Sequence, residues 1–160
     1  MSNPSSSFTA KVTNNTATKS VGNGDAGSHD CIFCKIVNRE TPANIVYEDD
    51  HVIAFLGHTL VIPKDHHRNL PSTPPATMSH IGSVLPRVAR MVCEGVDAAD
   101  FNILQNNGAQ AGQIVFHLHF HIIPRHATDV KWLQGVTRVK RKRIEEEEAQ
   151  RVGESIRARL

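Results

Sequence analysis

The sequence predicts an α+β domain: a small antiparallel β-sheet with one main packed helix, followed by a C-terminal helix. Three observations carry this. Short β-branched and aromatic runs over 44–63 are split by Asp49-Asp50 and by Gly57, an apolar repeat at steps of three and four follows over 74–92, and a two-residue alternation runs over 116–123.

Residues 1–30 are rich in Ser, Thr, Asn and Gly, contain no Arg, and read as a disordered leader that contributes little to a core. The domain proper is expected over 31–126, with a partly helical extension over 127–160. Cys31 to Val37 (CIFCKIV) is either a short helix or an extended apolar run, because periodicity cannot decide at that length. Asn44 to Glu48, His51 to Leu56 and His58 to Pro63 form a meander with tight turns. Met78, Ile81, Leu85, Val88 and Val92 line one face of a helix over 74–92, which Pro86 should kink. Phe101 to Gln105 reads as a strand, Asn106 to Gly112 as a glycine-bearing loop, and Gln113 to Pro124 as a long strand that completes a second hairpin. In the tail, Lys140 to Arg143 is basic and Glu145 to Glu148 acidic, so pairs such as Arg141 with Glu145 suit an exposed helix.

Composition excludes several classes of function. The 160 residues are 39% apolar, with 18 basic and 16 acidic side chains, a net charge of +2 and 5% aromatics. A polyanion-coating protein or a stack of single-stranded bases is a poor fit, so no nucleic-acid partner is expected. No apolar stretch reaches the length of a membrane span and no secretory signal opens the chain, so no membrane partner is expected either. Three cysteines argue against a disulfide framework and for a reducing compartment, cytoplasmic or also nuclear.

The chemistry concentrates in FHLHFHII, residues 116–123, where His117, His119 and His121 alternate with Phe116, Leu118, Phe120 and Ile122. In a strand this puts the imidazoles on one solvated face and the large apolar groups on the other. One reading is a polar face of satisfied histidines. A single metal held by all three is disfavoured by reach, since His117 and His121 would lie about 13 Å apart on a strand, although two of them could share one. The remaining reading is a row of nitrogens spaced like a phosphate chain, with a neutral imidazole as nucleophile, which implies phosphoryl or nucleotidyl transfer. The CxxC of Cys31 and Cys34 is readable by itself as two buried small residues.

At these residues the chain resembles the histidine triad superfamily. The blocks CIFCKI (31–36), VYEDD (46–50), VIAFL (52–56), HTLVIP (58–63) and GQIVFHLHFHIIPR (112–125) follow in the family's order. The resemblance implies an α+β homodimer that binds a purine nucleotide and attacks its α-phosphate with the middle histidine, His119. It implies that His121 donates to a phosphoryl oxygen, that His58 matches a fourth histidine, and that Asn106, Gly112 and Gln113 complete the phosphate cradle. Ile32, Phe33, Ile36, Phe55 and Leu56 match the walls of a base slot. It further implies a structural zinc on Cys31, Cys34, His66 and His117, with His67 an adjacent competitor. The expected reaction is hydrolysis of a nucleoside phosphoramidate or dinucleoside polyphosphate. The rivals are a catalytically weakened nucleotide-binding protein and a zinc-containing scaffold.

Two departures bear on this expectation. Between Leu56 and Gly57 the family usually carries about seven further residues, led by an Asp or Asn for the ribose hydroxyls. Ile114 stands where a Ser or Thr near the leaving group is common.

Overall fold

The computed structural model describes residues 30–56, 59–126 and 145–159. The leader reading for 1–29, His58, the basic run at 140–143 and the Arg141–Glu145 pair therefore lie outside the described residues. Strands β1 (Ile45–Glu48), β2 (Val52–Phe55) and β3 (Thr59–Pro63) form the expected meander, and β4 (Asp100–Gln105) with β5 (Phe120–Arg125) the second hairpin. Pairing of β3 with β5 joins them into one antiparallel five-stranded sheet of order β1-β2-β3-β5-β4. The β2–β3 ladder continues to the pair Phe55 and Leu60, so the sheet accommodates the short connection after Leu56.

Local chemistry sets the elements. Asp49 Oδ1 accepts from the N–H groups of His51 and Val52, both at 2.8 Å, which closes the turn between β1 and β2. Cys31 to Val37 resolves as helix α1 (Ile32–Val37). Helix α2 (Pro75–Gly95) starts with proline in its first turn, where a missing N–H costs nothing, and runs three residues beyond the predicted Val92. Pro86 lies inside it and leaves the Gly82 carbonyl without a helical donor.

Alternation along the strands gives the sheet two buried faces. Val52, Ala54, Val61, Leu118 and Ile122 pack against Ile81, Val84, Val88 and Val92 of α2 and against Ile156 of helix α3 (Glu146–Arg157). On the other face Ile53, Phe55 and Ile62 pack against Phe33 and Ile36 of α1. Each fully buried aliphatic side chain contributes roughly 1.5 to 3 kcal/mol, so the register is strongly specified on both faces. The C-terminal helix docks at Gly95, where an added Cβ would stand 2.5 Å from Ile156 Cγ1 and 3.0 Å from its Cα. Ser155 Oγ donates to the Gly95 carbonyl at 2.9 Å, and Arg157 Nη1 to that of Ile45 at 2.9 Å.

One expectation is overturned. The strand predicted from Gln113 begins only at Phe120, and 113–119 lies outside the sheet. Gln113 is the reason: its Nε2 donates to the carbonyls of Arg68 (2.7 Å) and Val115 (3.1 Å), while its Oε1 accepts from Gly108 N–H (2.8 Å). Leu118 N–H then donates to the His67 carbonyl at 2.6 Å, so this segment pairs with the chain after β3. Pro63 ends β3 and has no N–H to offer a longer ladder.

Asp49 ties the sheet to α2. Its Oδ2 accepts from Tyr47 Oη and His80 Nε2, each at 2.9 Å. Burial alone would raise this carboxyl, but the bonds from His51, His80, Val52 and Tyr47 outweigh it and hold the carboxyl down at about 2. A lowered native pKa gives stability that is present above the unfolded value near 3.8 and is lost as pH falls through about 2. Asp49→Asn should therefore cost about 2 kcal/mol at neutral pH, and the difference from wild type should vanish near pH 2. Urea melts over that range check this, and a constant difference would contradict it.

Candidate functional site

The α1-bearing face of the sheet carries the predicted chemistry. His117, His119 and His121 project to this face while Leu118 and Ile122 project to the other, as the period of two requires. The imidazoles are not solvated, however: His117 is 0% exposed, His119 5% and His121 8%. For the first two helix α1 supplies the cover, since Phe33 stands edge-on to His117 at 5.8 Å and to His119 at 5.3 Å between ring centroids. The ring of His121 lies edge-on to that of His119 at 5.0 Å.

Burial demands that each polar nitrogen be satisfied, and this fixes two tautomers. His119 Nδ1 lies 2.7 Å from the carbonyl oxygen of His117. A carbonyl only accepts, so Nδ1 carries the proton and Nε2 keeps the lone pair of a nucleophile. His117 Nε2 likewise donates to the Pro63 carbonyl at 2.9 Å, which leaves its Nδ1 as an acceptor. Burial, helped by the neighbouring imidazoles of His66 and His119, lowers His117 to about 4, so it is neutral at pH 7. Neither carbonyl carries a side-chain signal, so sequence reasoning can expect a backbone acceptor for the nucleophile but cannot say which residue supplies it.

The acceptor Nδ1 of His117 faces the cysteines. It lies 3.6 Å from Cys31 Sγ and 3.5 Å from Cys34 Sγ, and Cys34 Sγ lies 3.2 Å from His66 Nδ1. One ligand atom from each of Cys31, Cys34, His66 and His117 falls within 4.8 Å of the other three. Metal bonds of about 2.3 Å to sulfur and 2.0 Å to nitrogen at a tetrahedral angle would place S and N about 3.5 Å apart. The four residues therefore fit a closed tetrahedral ion, and the donation from His117 to Pro63 is the outer-shell contact such a ligand needs. Burial and the neighbouring Cys31 push the Cys34 thiol up to about 11, so binding a metal there must displace a proton. His67 does not join the four: its carbonyl holds Leu118 N–H, and its buried Nε2 has no hydrogen-bond partner among the described residues.

The remaining predicted residues divide. Phe33, Ile36 and Phe55 come together as one apolar wall, with Phe33 and Phe55 at 5.6 Å edge to face. Ile32 is exposed at the surface of α1. Leu56 is not part of this wall; one residue after Phe55 it turns to the opposite face, packs with the α2 core and approaches Gly153 of α3. Gly112 (φ 83°) and Gly108 (φ 88°) hold left-handed backbone in the loop after β4, and Asn106 lies beside Gly112. Gln113 is not free to hold a phosphate: its amide is spent on Gly108, Arg68 and Val115 and shapes the loop instead.

Comparisons with known proteins agree with this geometry. The profile of the HIT domain family matches residues 38–128. The chain is 38% identical over 131 residues to an Arabidopsis thaliana protein named Adenylylsulfatase HINT3, a match covering 78% of this chain and 66% of that relative. A Zn-bound histidine triad family protein from Mycobacterium smegmatis superposes with a TM-score of 0.69 at 36% identity, covering 83% of this chain and 94% of that one. A hypothetical histidine triad nucleotide-binding protein from Sulfolobus tokodaii superposes with a TM-score of 0.71 at 33% identity, covering 81% of this chain and 91% of that one. With the family profile spanning more than half of its length and solved relatives of 33% and 36% identity sharing the fold, this chain belongs to the HIT domain family of histidine triad proteins.

Proposed function

We propose that this chain is a nucleotide hydrolase or transferase that acts on the α-phosphate of a purine nucleoside phosphoramidate or dinucleoside polyphosphate. The observation that carries the reading is the bond from His119 Nδ1 to the His117 carbonyl, which in the neutral ring puts the lone pair on Nε2. In the first step Nε2 attacks phosphorus and the bond to the leaving group breaks, giving a nucleotidyl-His119 intermediate. In the second, water attacks the same phosphorus, the P–N bond breaks and the nucleoside monophosphate leaves. His121, edge-on to His119, donates to a phosphoryl oxygen where charge develops, and the backbone around Gly112 with Asn106 forms the rest of the cradle. The apolar wall of Phe33, Ile36 and Phe55 takes the base. An Arabidopsis relative named for adenylyl sulfate supports a nucleotidyl group with a variable leaving group.

Quenched wild-type enzyme should carry the nucleotide on His119 by mass spectrometry. His119→Ala should lose turnover on an adenylyl phosphoramidate by on the order of 10⁴-fold or more. Because His119 is buried, the variant's melting temperature is recorded alongside. Full activity in the variant would end this reading. The rival reading, a nucleotide-binding protein with weakened turnover, draws on the short connection after Leu56 and on Ile114, which is 75% exposed where an oxygen donor is common. It predicts binding without an adduct.

The metal of the Cys31, Cys34, His66 and His117 site is proposed to be a structural zinc. Support comes from the two-thiolate, two-imidazole donor set and from the Zn-bound Mycobacterium relative. Purified protein should hold one zinc per chain, and chelation should lower the melting temperature by about 5 °C or more, since the ion stabilises only the folded state. His66→Ala should release it and His67→Ala should not. Protein without zinc, indifferent to chelator, would contradict the assignment.

A homodimer is proposed through β4, an edge strand of the sheet among the described residues, where Phe101 (44%), Ile103 (45%) and Leu104 (45%) are exposed. An apolar unpaired edge is a liability unless a second copy covers it. Light scattering should give twice the chain mass, and Ile103→Lys should give the monomer. A wild-type monomer at micromolar concentration would contradict it.

A further inference from the structure

Residue 117 belongs to two constellations at once. Its imidazole Nδ1 faces Cys31 and Cys34, and its backbone carbonyl accepts the proton of His119 Nδ1. A second link runs through α1: Phe33 lies between the two cysteines in sequence and stands edge-on to the His119 ring at 5.3 Å. Three segments distant in sequence, α1, the segment holding His66 and the loop before β5, each supply ligand atoms to this cluster, beside the Leu118–His67 and Gln113–Arg68 bonds that also join the last two. An ion there clamps all three, adding to the Pro63 contact, the Leu118 N–H to His67 bond and the thiol contacts at 3.5 and 3.6 Å that also hold residue 117.

We propose that filling the Cys31, Cys34, His66 and His117 site positions the His119 ring: the ion fixes the peptide of residue 117, and that carbonyl in turn fixes the proton on His119 Nδ1. His117 is thus a positioning residue and the metal site governs the alignment of the nucleophile as well as stability. The inference rests on His119 as nucleophile, but its first test does not use turnover.

The test is nitrogen NMR of histidine rings in the full chain, without substrate, loaded with zinc and then chelated. Loaded protein should show His119 in the Nδ1–H form alone, with slow exchange of that proton. Chelated protein should show a mixture of tautomers and exchange faster by about tenfold, the scale of one weakened hydrogen bond. An identical tautomer and exchange rate in both forms would overturn the proposal.

A second comparison separates the metal link from the imidazole itself. His117→Cys retains four metal donors and the carbonyl of residue 117, whereas His117→Ala retains three donors, and both lose the contact to Pro63. The cysteine variant should keep the zinc and the His119 tautomer, and the alanine variant should lose both. A cysteine variant that keeps zinc yet behaves like the alanine variant would overturn the proposal. If neither variant folds, chelated wild type decides. Tautomers that follow zinc in a protein that never forms an adduct would support the positioning and end the catalytic reading instead.

Discussion

The hydrogen bond from His119 Nδ1 to the carbonyl of His117 is the constraint around which the rest of the site is arranged. An imidazole attacks only through an unprotonated nitrogen, and only a fixed acceptor on its other side keeps the proton there. Making that acceptor a backbone carbonyl requires residue 117 to be held in place outside the sheet ladder. Gln113 and the Leu118 to His67 bond hold the chain on either side, and the Cys31, Cys34, His66 and His117 cluster holds the residue itself.

Burial raises the stakes of this arrangement. With His117, His119 and His121 all buried, an unsatisfied nitrogen would cost roughly 1 to 3 kcal/mol and a charged ring more. Burial lowers His117 to about 4 and so keeps it in the neutral form that both the Pro63 contact and a metal bond require. The same cover supplies the apolar wall, because Phe33 closes over the imidazoles and meets Phe55 on one side of the sheet. Opposite this face, α2 and α3 bury the alternate residues and fix the register on which the site depends.

Much of this was legible in the sequence, for physical reasons that also explain what was not. Alternation from Leu118 to Ile122 and the repeat along α2 reflect side chains sorted between core and site, so the sheet and the main helix could be anticipated from pattern, whereas the grouping of Cys31, Cys34, His66 and His117 came only with the family resemblance. Leu56 was placed in the base wall although its strand parity, one residue from Phe55, sends it to the α2 face. Gln113 was taken for a phosphate ligand and the start of a strand, because its three loop contacts involve backbone groups of Arg68, Gly108 and Val115 that no residue identity encodes. The histidines were read as solvated because a two-residue period marks a distinct face without saying what covers it.

The account stands on the claim that His117 gives its Nδ1 to a metal while its carbonyl serves His119. X-ray absorption at the zinc edge of the purified full chain tests it most directly, because it reads the ligand set and bond lengths around the ion. The account predicts two sulfur ligands at about 2.3 Å and two imidazole nitrogens at about 2.0 Å, becoming three sulfurs and one imidazole in His117→Cys. A wild-type shell of oxygen and nitrogen without sulfur, or one unchanged by removing His117, would contradict it.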